Sequence, residues 1–323
     1  MRRAVERLAE RWWYGRRHPP ALLRPMAALY GAWTASRLDR PAARPPIPVI
    51  VVGNLTAGGS GKTPVVEALV RMLAGEGIRV GVISRGYGGE EPRRPQEVSA
   101  RSVASSVGDE PLAIHRSTGV PVWVCRDRAA ALDAAVTRGC EVVISDDGLQ
   151  HVALPRSFEV CVIDGRRGFG NGALLPAGPL RQPLLRLERV DAVLVKAPVA
   201  VDLPAEFQCF ELVPSGWSRV SGAPTEPPAR GEVDAVAGIA DPDAFFESLQ
   251  ALGYRPRRHR LADHQAIDGA WLAGLPGPVV VTAKDAARLD GEPRPDLFVA
   301  RVDARLPQSL RETVRAHVRE FSA

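Results

Sequence analysis

Short apolar runs rich in β-branched residues recur along the chain, with segments of helical periodicity between them. The run Val49–Val52 leads into a glycine-rich turn and then into Val65–Leu73, where apolar residues fall at helical spacing. This alternation predicts an α/β fold with a doubly wound, mainly parallel sheet, because parallel strands need long crossover connections. Ligands bind such sheets at the carboxyl ends of the strands. The later strands are predicted at Arg79–Ser84, Val120–Val124, Glu141–Ser145, Phe158–Ile163 and Val190–Val195.

The pattern changes after about residue 207. Gln208–Val213 and Trp217–Val220 are predicted to be extended connectors, and a proline-rich stretch follows at 223–230. A second, smaller α/β unit is predicted to begin near Val233. Its expected elements are the strands Val233–Ile239, Pro278–Thr282 and Leu297–Val302 and the helices Pro242–Leu252 and Gln308–Phe321.

The composition is that of an ordinary globular protein of 323 residues, 45% hydrophobic and 24% charged. Its four cysteines show no paired spacing, and three of them lie in or beside apolar runs, so buried free thiols are predicted. No CxxC or HExxH pattern indicates a zinc site. The cysteines are Cys125, Cys140, Cys161 and Cys209.

Residues 1–45 form a basic arm. They hold ten arginines against three acidic residues, a net charge of +7, whereas the whole chain carries +5. This asymmetry predicts an anionic surface as a partner rather than nucleic acid. Apolar residues recur at helical spacing in two runs, one that ends at Trp12 and one from Leu22 to Trp33. Such helices could lie in a membrane interface or could pack on the body of the protein by the same apolar faces. No apolar run has the length of a transmembrane helix, and no secretory signal is recognised.

The glycine-rich turn has the residues of a phosphate-binding loop. Glycines let backbone N–H groups turn towards phosphate oxygens, the following helix points its positive end at them, and Lys62 reaches the terminal phosphates. The Thr63 hydroxyl is placed to bind Mg²⁺. The alternative is an ordinary strand-to-helix turn, which needs one glycine and no lysine. The predicted nucleotide-binding residues are Thr56, Ala57, Gly58, Gly59, Ser60, Gly61, Lys62 and Thr63.

Lysine is rare in this chain, which gives weight to Lys62. Only Lys62, Lys196 and Lys284 are lysines among 42 basic residues. A compact ammonium fits between phosphates where a planar guanidinium does not, so a phosphate-loop lysine resists exchange. The sequence assigns no role to Lys196. The loop resembles the deviant loops of cell-division and metal-insertion ATPases, but Ala57 stands where those loops carry a second lysine, which argues against an enzyme that borrows it from a dimer partner.

Two carboxylates, Asp146 and Asp147, follow the predicted strand Glu141–Ser145. In a protein with a phosphate-binding loop, an aspartate at such a strand end orients Mg²⁺, directly or through water. Both residues are therefore predicted to serve the metal. The alternative is a plain Asp-Gly turn, which is common between strands.

Several motifs together give the chain a resemblance to the tetraacyldisaccharide 4′-kinase family, the lipid A 4′-kinases of Gram-negative bacteria. The resemblance spans nearly the whole chain. It implies transfer of the ATP γ-phosphate to the 4′-hydroxyl of a tetraacylated glucosamine disaccharide 1-phosphate, which gives lipid IVA. It also implies a peripheral enzyme on the cytoplasmic face of the inner membrane; no obligate protein partner is inferred. The motifs are GNLTAGGSGKTP (53–64), SRGYGG (84–89), VGDEP (107–111), DDGLQH (146–151), DGRRGFGNGALLPAGPLR (164–181) and DHQ (263–265).

The resemblance also implies two α/β/α domains joined by a short, extended two-stranded linker, with ATP and Mg²⁺ as cofactors. Combined with the pattern of elements, it predicts four segments. They are basic amphipathic membrane-interface helices at 1–45 packed on the first domain, a P-loop kinase domain at 46–206, an extended linker at 207–232 and a smaller α/β domain at 233–323.

Residue roles follow from the same resemblance. Asp109 and His264 resemble the family's proposed dyad, which helps to deprotonate the 4′-hydroxyl, and an aspartate can orient a histidine for that task. Judged without the resemblance, Asp109 could be a helix N-cap and His264 a loop histidine. Arg181 is expected to contact phosphate through its planar fork. The remaining implied contacts, to substrate, nucleotide or the support of the site, are Arg85, Tyr87, His151 and Asn171.

Two residues depart from the family pattern: Gln182 stands where a glutamate is expected, and Ala283 where an acidic residue is expected. The Lys284–Asp285 pair that follows could hold the adenine edge or form a surface ion pair. The rival functions are an ATPase that delivers protein or metal and a non-catalytic membrane-docking module. A delivery ATPase would be expected to carry metal-binding runs of His or Cys, or the additional lysine in its phosphate loop. A membrane-docking module would give no reason for Lys62 to accompany paired aspartates.

Overall fold

The structure is a computed structural model that describes residues 9, 11–15, 19–38, 43–204, 206–262, 265–289 and 291–322. Its helices are α1 (Leu23–Leu38), α2 (Lys62–Ala74), α3 (Ala104–Val107), α4 (Asp109–Thr118), α5 (Arg128–Thr137), α6 (Pro242–Ala251), α7 (Gly269–Ala273), α8 (Ala283–Ala287) and α9 (Gln308–Ser322), with a 3₁₀ helix at Leu184–Arg189. Its strands are β1 (Val49–Gly53), β2 (Val80–Ser84), β3 (Gln96–Glu97), β4 (Val122–Val124), β5 (Val142–Asp146), β6 (Phe158–Asp164), β7 (Ala192–Lys196), β8 (Gln208–Ser218), β9 (Pro224–Thr225), β10 (Glu232–Ala237), β11 (Arg255–Arg260), β12 (Val279–Thr282) and β13 (Leu297–Arg305).

The chain forms two compact units, of which the first comprises 1–80, 136–211 and 305–323. Its strands lie in the order β5-β1-β6-β7-β8, and these pairs are parallel. Every residue of β1 is buried, as expected for a strand covered on both faces. The carboxyl end of β1 therefore lies between those of β5 and β6, where ligands bind in such sheets.

The second unit comprises 81–135 and 212–304. In it, β4 pairs in parallel with β2 and antiparallel with the short β3, and β11-β10-β12-β13 are parallel throughout. Alternate residues of β12 face different clusters: Val280 packs with Phe246, whereas Val279 and Val281 pack with Leu272. This sheet is thus also buried on both faces, which explains its β-branched composition.

The predicted α/β class with a mostly parallel sheet is confirmed, but three details of the elements differ. Arg255–Arg260 forms the strand β11 although it has no apolar run; it pairs with β10, and a charged sequence is tolerated in a strand whose side chains stay half-exposed. The segment 90–107, for which no element is predicted, contains β3 and α3. The two predicted connectors after residue 207 form one continuous strand, β8.

The predicted buried thiols are present at Cys125, Cys140 and Cys161, whereas Cys209 is exposed, and all four are free. No helix in the described part of the chain is long and apolar enough to cross a bilayer.

Candidate active site

The phosphate loop lies between β1 and α2 in the first unit. Nδ2 of Asn54 donates to the carbonyl of Gly58 over 3.2 Å, which closes the loop on itself. Gly61, the N-cap of α2, has a φ of 87°, a left-handed conformation that other residues adopt only with strain. Because α2 begins at Lys62, the N–H groups of its first turn have no partner within the helix and are available to an anion.

Two buried polar atoms of this loop have no hydrogen-bond partner among the described residues: the Ser60 hydroxyl and Oδ1 of Asn54. Ser60 is only 1% exposed. A buried group left without a partner costs about 1–3 kcal/mol, so each such group in a native protein needs an explanation. The oxygens of a nucleotide phosphate would supply an acceptor for the hydroxyl, and the loop therefore fits ATP.

The cations of the site converge on Asp147. Its carboxylate lies 3.5 Å from Nζ of Lys62 and accepts a hydrogen bond from Nη1 of Arg181 at 2.9 Å. Asp147 has a φ of 50°, which is uncommon for a residue other than glycine, and such conformations are enriched at functional sites. Residues from three separate motifs thus meet at the carboxyl end of the sheet.

Asp146 is the last residue of β5, lies opposite Val52 of β1 and is 1% exposed. Thr63 lies in the first turn of α2 and is half-buried. Carboxylate and hydroxyl oxygens are ligands that Mg²⁺ prefers, so Asp146, Asp147 and Thr63 fit this ion chemically. No three His, Cys, Asp or Glu side chains within the described ranges are grouped to bind a metal alone. Phosphate oxygens and water would therefore complete the coordination, as is usual for Mg²⁺.

The segment before Arg181 is hydrogen-bonded along the phosphate loop. The N–H of Ala57 donates to the carbonyl of Pro179 over 2.8 Å, and the N–H of Arg181 donates to the carbonyl of Leu55 over 2.6 Å. Thr56 and Leu180 between them form an antiparallel bridge. Arg181 is thus fixed through its main chain to the loop that carries Lys62.

Gln150 forms hydrogen bonds with both Arg181 and Gln182, the residue that stands where the family pattern has a glutamate. Its Nε2 donates to the carbonyl of Asn54 at 2.8 Å and to Oε1 of Gln182 at 3.3 Å, and its Oε1 accepts from Nη1 of Arg181 at 3.3 Å. Gln182 is 3% exposed. A glutamate would accept the same hydrogen bond, so the departure keeps the network and removes one negative charge from it.

The basic arm contacts the segment that leads to Arg181. Asn171 donates from Nδ2 to the carbonyl of Trp12 at 3.2 Å, and its backbone N–H donates to the carbonyl of Trp13 at 2.8 Å. The hydroxyl of Tyr30 in α1 donates to the carbonyl of Arg181 at 3.1 Å. Asn171 therefore holds the arm against the segment that borders the phosphate loop. The helix predicted before Trp12 lies largely outside the described residues.

One apolar face, formed by α1 and the residue that precedes it, remains exposed. Its residues recur every three or four positions and so lie on one side of the helix. The guanidinium of Arg37 stacks over the Trp33 ring at 4.1 Å. We call this face the exposed stripe; it consists of Leu22 (71% exposed), Met26 (53%), Leu29 (74%) and Trp33 (51%).

In the second unit, Asp109 is the first residue of α4 and is 4% exposed. Its Oδ2 accepts from Nε of Arg288 at 2.9 Å, and its Oδ1 accepts from the backbone N–H of Glu110 at 2.9 Å. The N-cap of α4 is Gly108, so the alternative of Asp109 as the N-cap is wrong. The carboxylate instead forms a buried ion pair.

Comparison with known proteins decides the family. A sequence model of the tetraacyldisaccharide-1-P 4′-kinase family matches residues 20–319. The tetraacyldisaccharide 4′-kinase of Pseudomonas aeruginosa is 43% identical over 94% of this chain and 98% of its own, and that of Alkalilimnicola ehrlichii is 44% identical over 91% of each. The chain belongs to the tetraacyldisaccharide 4′-kinase family.

A solved structure of this family has the same fold. The kinase from Aquifex aeolicus, crystallised in complex with ATP, superposes with a TM-score of 0.75 at 25% identity, over 91% of this chain and 98% of that one. The predicted family, kinase activity and ATP binding are therefore confirmed. Enzymes of the family make lipid IVA in lipid A biosynthesis, which rules out the delivery ATPase and the docking module.

Arg85 and Tyr87, from the SRGYGG motif of the family, follow β2 in the second unit. Nε of Arg85 donates to Oε2 of Glu91 at 3.1 Å, and the Tyr87 side chain is 54% exposed. A Cβ on Gly108, which has a φ of 89°, would lie 2.8 Å from the carbonyl oxygen of Tyr87. Glycine is therefore required where this motif meets the start of α4 and Asp109.

Lys284 and Asp285 lie in the first turn of α8. Nζ of Lys284 is 3.2 Å from Oε1 of Glu110, whereas Asp285 is fully buried and accepts from the Thr282 hydroxyl at 2.6 Å. A surface ion pair is therefore wrong for Asp285. Thr282 is the N-cap of α8, and the departure at Ala283 leaves this cap intact.

His264 lies outside the described residues. Gln265, the last residue of its motif, accepts from Nη1 of Arg288 through its carbonyl at 3.5 Å. His151 is half-buried, and its carbonyl accepts from Arg156.

Arg288 is the residue that the sequence did not single out. Its signal is its position three residues after Asp285, as the C-cap of the short helix α8, which lets the two side chains meet on one face. With nearly all basic residues being arginine, that spacing alone did not distinguish it.

Proposed function

We propose that the chain carries out the reaction of its family: it transfers the γ-phosphate of ATP to the 4′-hydroxyl of tetraacyldisaccharide 1-phosphate and forms lipid IVA. The observation that carries this proposal is the convergence of Lys62 and Arg181 on Asp147, beside a phosphate loop with the buried Ser60 hydroxyl. Two cations at this position are placed to act on phosphate oxygens.

Phosphoryl transfer depends mainly on positioning and on stabilising charge. The loop N–H groups and the N-terminus of α2 would hold the phosphates in a fixed direction. Lys62 supplies a compact charge, and Arg181 a planar fork, for the oxygens on which negative charge develops. Both cations are fixed before the substrate binds, because hydrogen bonds or ion pairs already orient them.

We assign Mg²⁺ to Thr63, Asp146 and Asp147. When bound, the ion would neutralise phosphate charge and fix the geometry of the phosphates. The position of Asp146 at the carboxyl end of β5, opposite Val52 of β1, suits this role, because ligands bind at that edge of the sheet.

Asp109 and His264 are proposed to assist removal of the proton from the 4′-hydroxyl. A hydroxyl is a poor nucleophile until a positioned base accepts its proton. In this proposal His264 accepts the proton and Asp109 orients the imidazole. The ion pair with Arg288 supports this role because it fixes the direction of the Asp109 carboxylate.

The exposed stripe is proposed to bind an anionic membrane surface, with the enzyme peripheral on the cytoplasmic face of the inner membrane. Four large apolar side chains beside arginines have the composition of an interfacial helix. Tryptophan suits this position because it has an apolar body and a polar edge.

The domain organisation is part of the proposal, with boundaries at 1–45, 46–206, 207–232 and 233–323. Support for a two-stranded linker comes from the antiparallel pairing of β8 with β9, in which Trp217 lies opposite Thr225.

The reaction is tested with purified protein, ATP, MgCl₂ and the disaccharide 1-phosphate. We expect a bis-phosphorylated lipid by mass spectrometry and no product when the 4′-hydroxyl is blocked. Release of ADP at the same rate without the lipid would contradict phosphoryl transfer. Asp146→Asn should raise the Mg²⁺ concentration needed for half-maximal rate, and an unchanged requirement would remove Asp146 from the metal site.

The dyad is tested with Asp109→Asn, His264→Ala and the double variant. Each single change should lower kcat strongly and leave ATP affinity nearly intact. The double variant should be little worse than the worse single one, because residues that act as one unit are not additive. Losses that add would show that the two residues act independently.

A further inference from the structure

The buried ion pair of Lys196 and Asp164 has no part in the roles assigned above. Nζ of Lys196, at the end of β7, lies 2.5 Å from Oδ2 of Asp164, at the end of β6, and the side chains are 13% and 6% exposed. Lys196 is one of only three lysines in the chain. This position retains a lysine although nearly every other basic position is arginine.

Asp164 is itself rigidly held. Its Oδ1 accepts from the backbone N–H groups of Arg166 at 2.9 Å and Arg167 at 3.1 Å, where the 164–181 segment begins. The N–H of Gly165 donates to the carbonyl of Lys196 at 3.1 Å. The ammonium of Lys196 therefore has a fixed partner, which in turn fixes the path of its side chain.

The stem of Lys196 lies against the phosphate loop. A Cβ on Gly61 would be 3.4 Å from Cδ of Lys196 and 3.6 Å from Cζ of Phe210, which lies opposite Lys196 in the β7–β8 register. Gly61 immediately precedes Lys62 and holds the left-handed conformation from which α2 starts. An unbranched stem and an aromatic ring thus support the point where the loop becomes the helix.

We propose that Lys196 is a positioning residue for the ATP phosphates. With Asp164 and Phe210 it forms a support under Gly61 that fixes the direction in which Lys62 and the first turn of α2 project. Its ammonium faces Asp164 at 2.5 Å, so it acts through the loop and not by contact with a phosphate. Lys62 and Lys196 therefore have different tasks: the first binds the ligand and the second holds the loop that presents it.

The test separates the effect of the Lys196 charge from the effect of the position of its side-chain stem. Lys196→Met leaves the Asp164 carboxylate without its cation, and we expect KM for ATP to rise and kcat to fall, about ten- to hundredfold together, with KM for the lipid unchanged. The double variant Lys196→Gln/Asp164→Asn keeps the stem up to Cδ and a neutral hydrogen bond between the two side chains. It should recover both constants to within about threefold of the native values, since a neutral hydrogen bond can hold the stem as the ion pair does.

The pair of Arg186 and Glu159 provides a matched control. Glu159 lies at the opposite end of β6, and Nη2 of Arg186 is 2.5 Å from its Oε1, with exposed fractions of 6% and 10%. Arg186→Met removes a comparably buried cation that is paired at this opposite end of β6. Its melting temperature should fall while KM for ATP stays at the native value.

Three results would overturn the proposal. Lys196→Met with a lower melting temperature but native kinetic constants would make the pair purely structural, as in the control. A Gln–Asn double variant as impaired as Lys196→Met would show that the charge itself acts on ATP. If Lys196→Met does not fold, Phe210→Leu removes the other half of the support, and an unchanged KM for ATP in that variant would also end the proposal.

Discussion

Nε of Arg288 donates to Oδ2 of Asp109 over 2.9 Å, and the two side chains are only 6% and 4% exposed. The same guanidinium donates to Oδ1 of Asp285 at 3.2 Å and to the carbonyls of Gly238 and Gln265 at 3.1 and 3.5 Å. One planar fork therefore joins the start of α4, the first turn of α8 and the residue that follows His264 in the sequence.

Arg288→Lys tests this relationship. Lysine keeps the positive charge but cannot form the same set of directed hydrogen bonds, so the Asp109 carboxylate should lose its orientation. We expect kcat to fall by roughly a hundredfold, because misplacing a catalytic group by about 1 Å costs this much, with ATP affinity retained. Steady-state kinetics and nucleotide binding measure the two effects.

Arg294→Lys is the matched control for Arg288. Arg294 also uses its fork in the second unit, donating to the carbonyls of Leu272 and Leu275 and pairing with Asp296. Among the described residues it has no hydrogen bond or ion pair with a candidate site residue, so its replacement should leave kcat nearly native. Equal losses in the two variants would mean that Arg288 acts only on stability. Native activity of Asp109→Asn would contradict the dyad independently of the result for Arg288→Lys.

Lys62→Arg should lower turnover by orders of magnitude while the protein stays folded. The guanidinium keeps the charge beside Asp147 but not the compact shape that fits between phosphates. The measurement is kcat together with the melting temperature. A nearly native rate in a folded Lys62→Arg protein would remove Lys62 from the transfer step.

Leu29→Ser combined with Trp33→Ser should weaken co-sedimentation with anionic vesicles, because both side chains belong to the exposed stripe. High salt should weaken binding of the native protein only in part, since its apolar contacts are not screened. Leu185→Ser is the matched control: Leu185 is 60% exposed but lies in the 3₁₀ helix, away from the stripe in the sequence. Equal binding by the stripe variant and the control would exclude the stripe as the membrane contact.

The buried Asp234 gives the second unit an acid-sensitive contribution to stability. Burial alone would raise the pKa of Asp234, but hydrogen bonds from Arg257, His259 and the Gly277 N–H lower the pKa to about 2. In the unfolded chain the pKa is about 3.9, so the contribution is complete above that pH and is lost as the pH falls towards 2.

Asp234→Asn should therefore destabilise the protein near pH 7 and flatten the loss of stability between about pH 4 and 2. Melting temperatures across this range measure the effect. A variant with the native acid dependence would show that other carboxylates dominate it.

Thiol accessibility gives an independent check of the fold. Burial raises the pKa of Cys161 to about 12, so its thiolate is scarce at neutral pH, whereas Cys209 is exposed. Iodoacetamide at pH 8 should modify Cys209 alone in the folded protein and all four cysteines in denaturant, as read by peptide mass spectrometry. Rapid labelling of Cys161 in the folded state would contradict the buried position of β6.

The elements that could be predicted are those whose signal is local. The phosphate loop is a contiguous motif, in which Gly61 has to be glycine for conformational reasons and Lys62 follows it directly. β11 could not be predicted, because its sequence RPRRHR has no apolar pattern. It is held by pairing with β10 and by the ion pair of Arg257 with Asp234, and both depend on residues distant in the sequence.

In the candidate site, too, local motifs could be predicted and contacts between distant residues could not. Asp147 and Arg181 could be named from their motifs, yet their contact joins residues 34 positions apart. Arg288 and Asp109 are 179 positions apart, and no spacing rule connects them. Motifs thus identify which groups serve the reaction, whereas the groups that orient them become visible only when the chain is folded.

The segment from Asn171 to Arg181 is anchored through its main chain at both ends. The N–H of Asn171 is bonded to the carbonyl of Trp13 in the arm, and the carbonyl of Pro179 is bonded to Ala57 in the phosphate loop. Such bonds tolerate almost any side chain but not a change in length, since one added residue shifts an extended chain by about 3.3–3.6 Å. An insertion or deletion in this segment should therefore disrupt it even when every side chain that makes a contact, such as those of Asn171 and Arg181, is kept. The number of residues in this segment thus sets the distance between the arm and the phosphate loop.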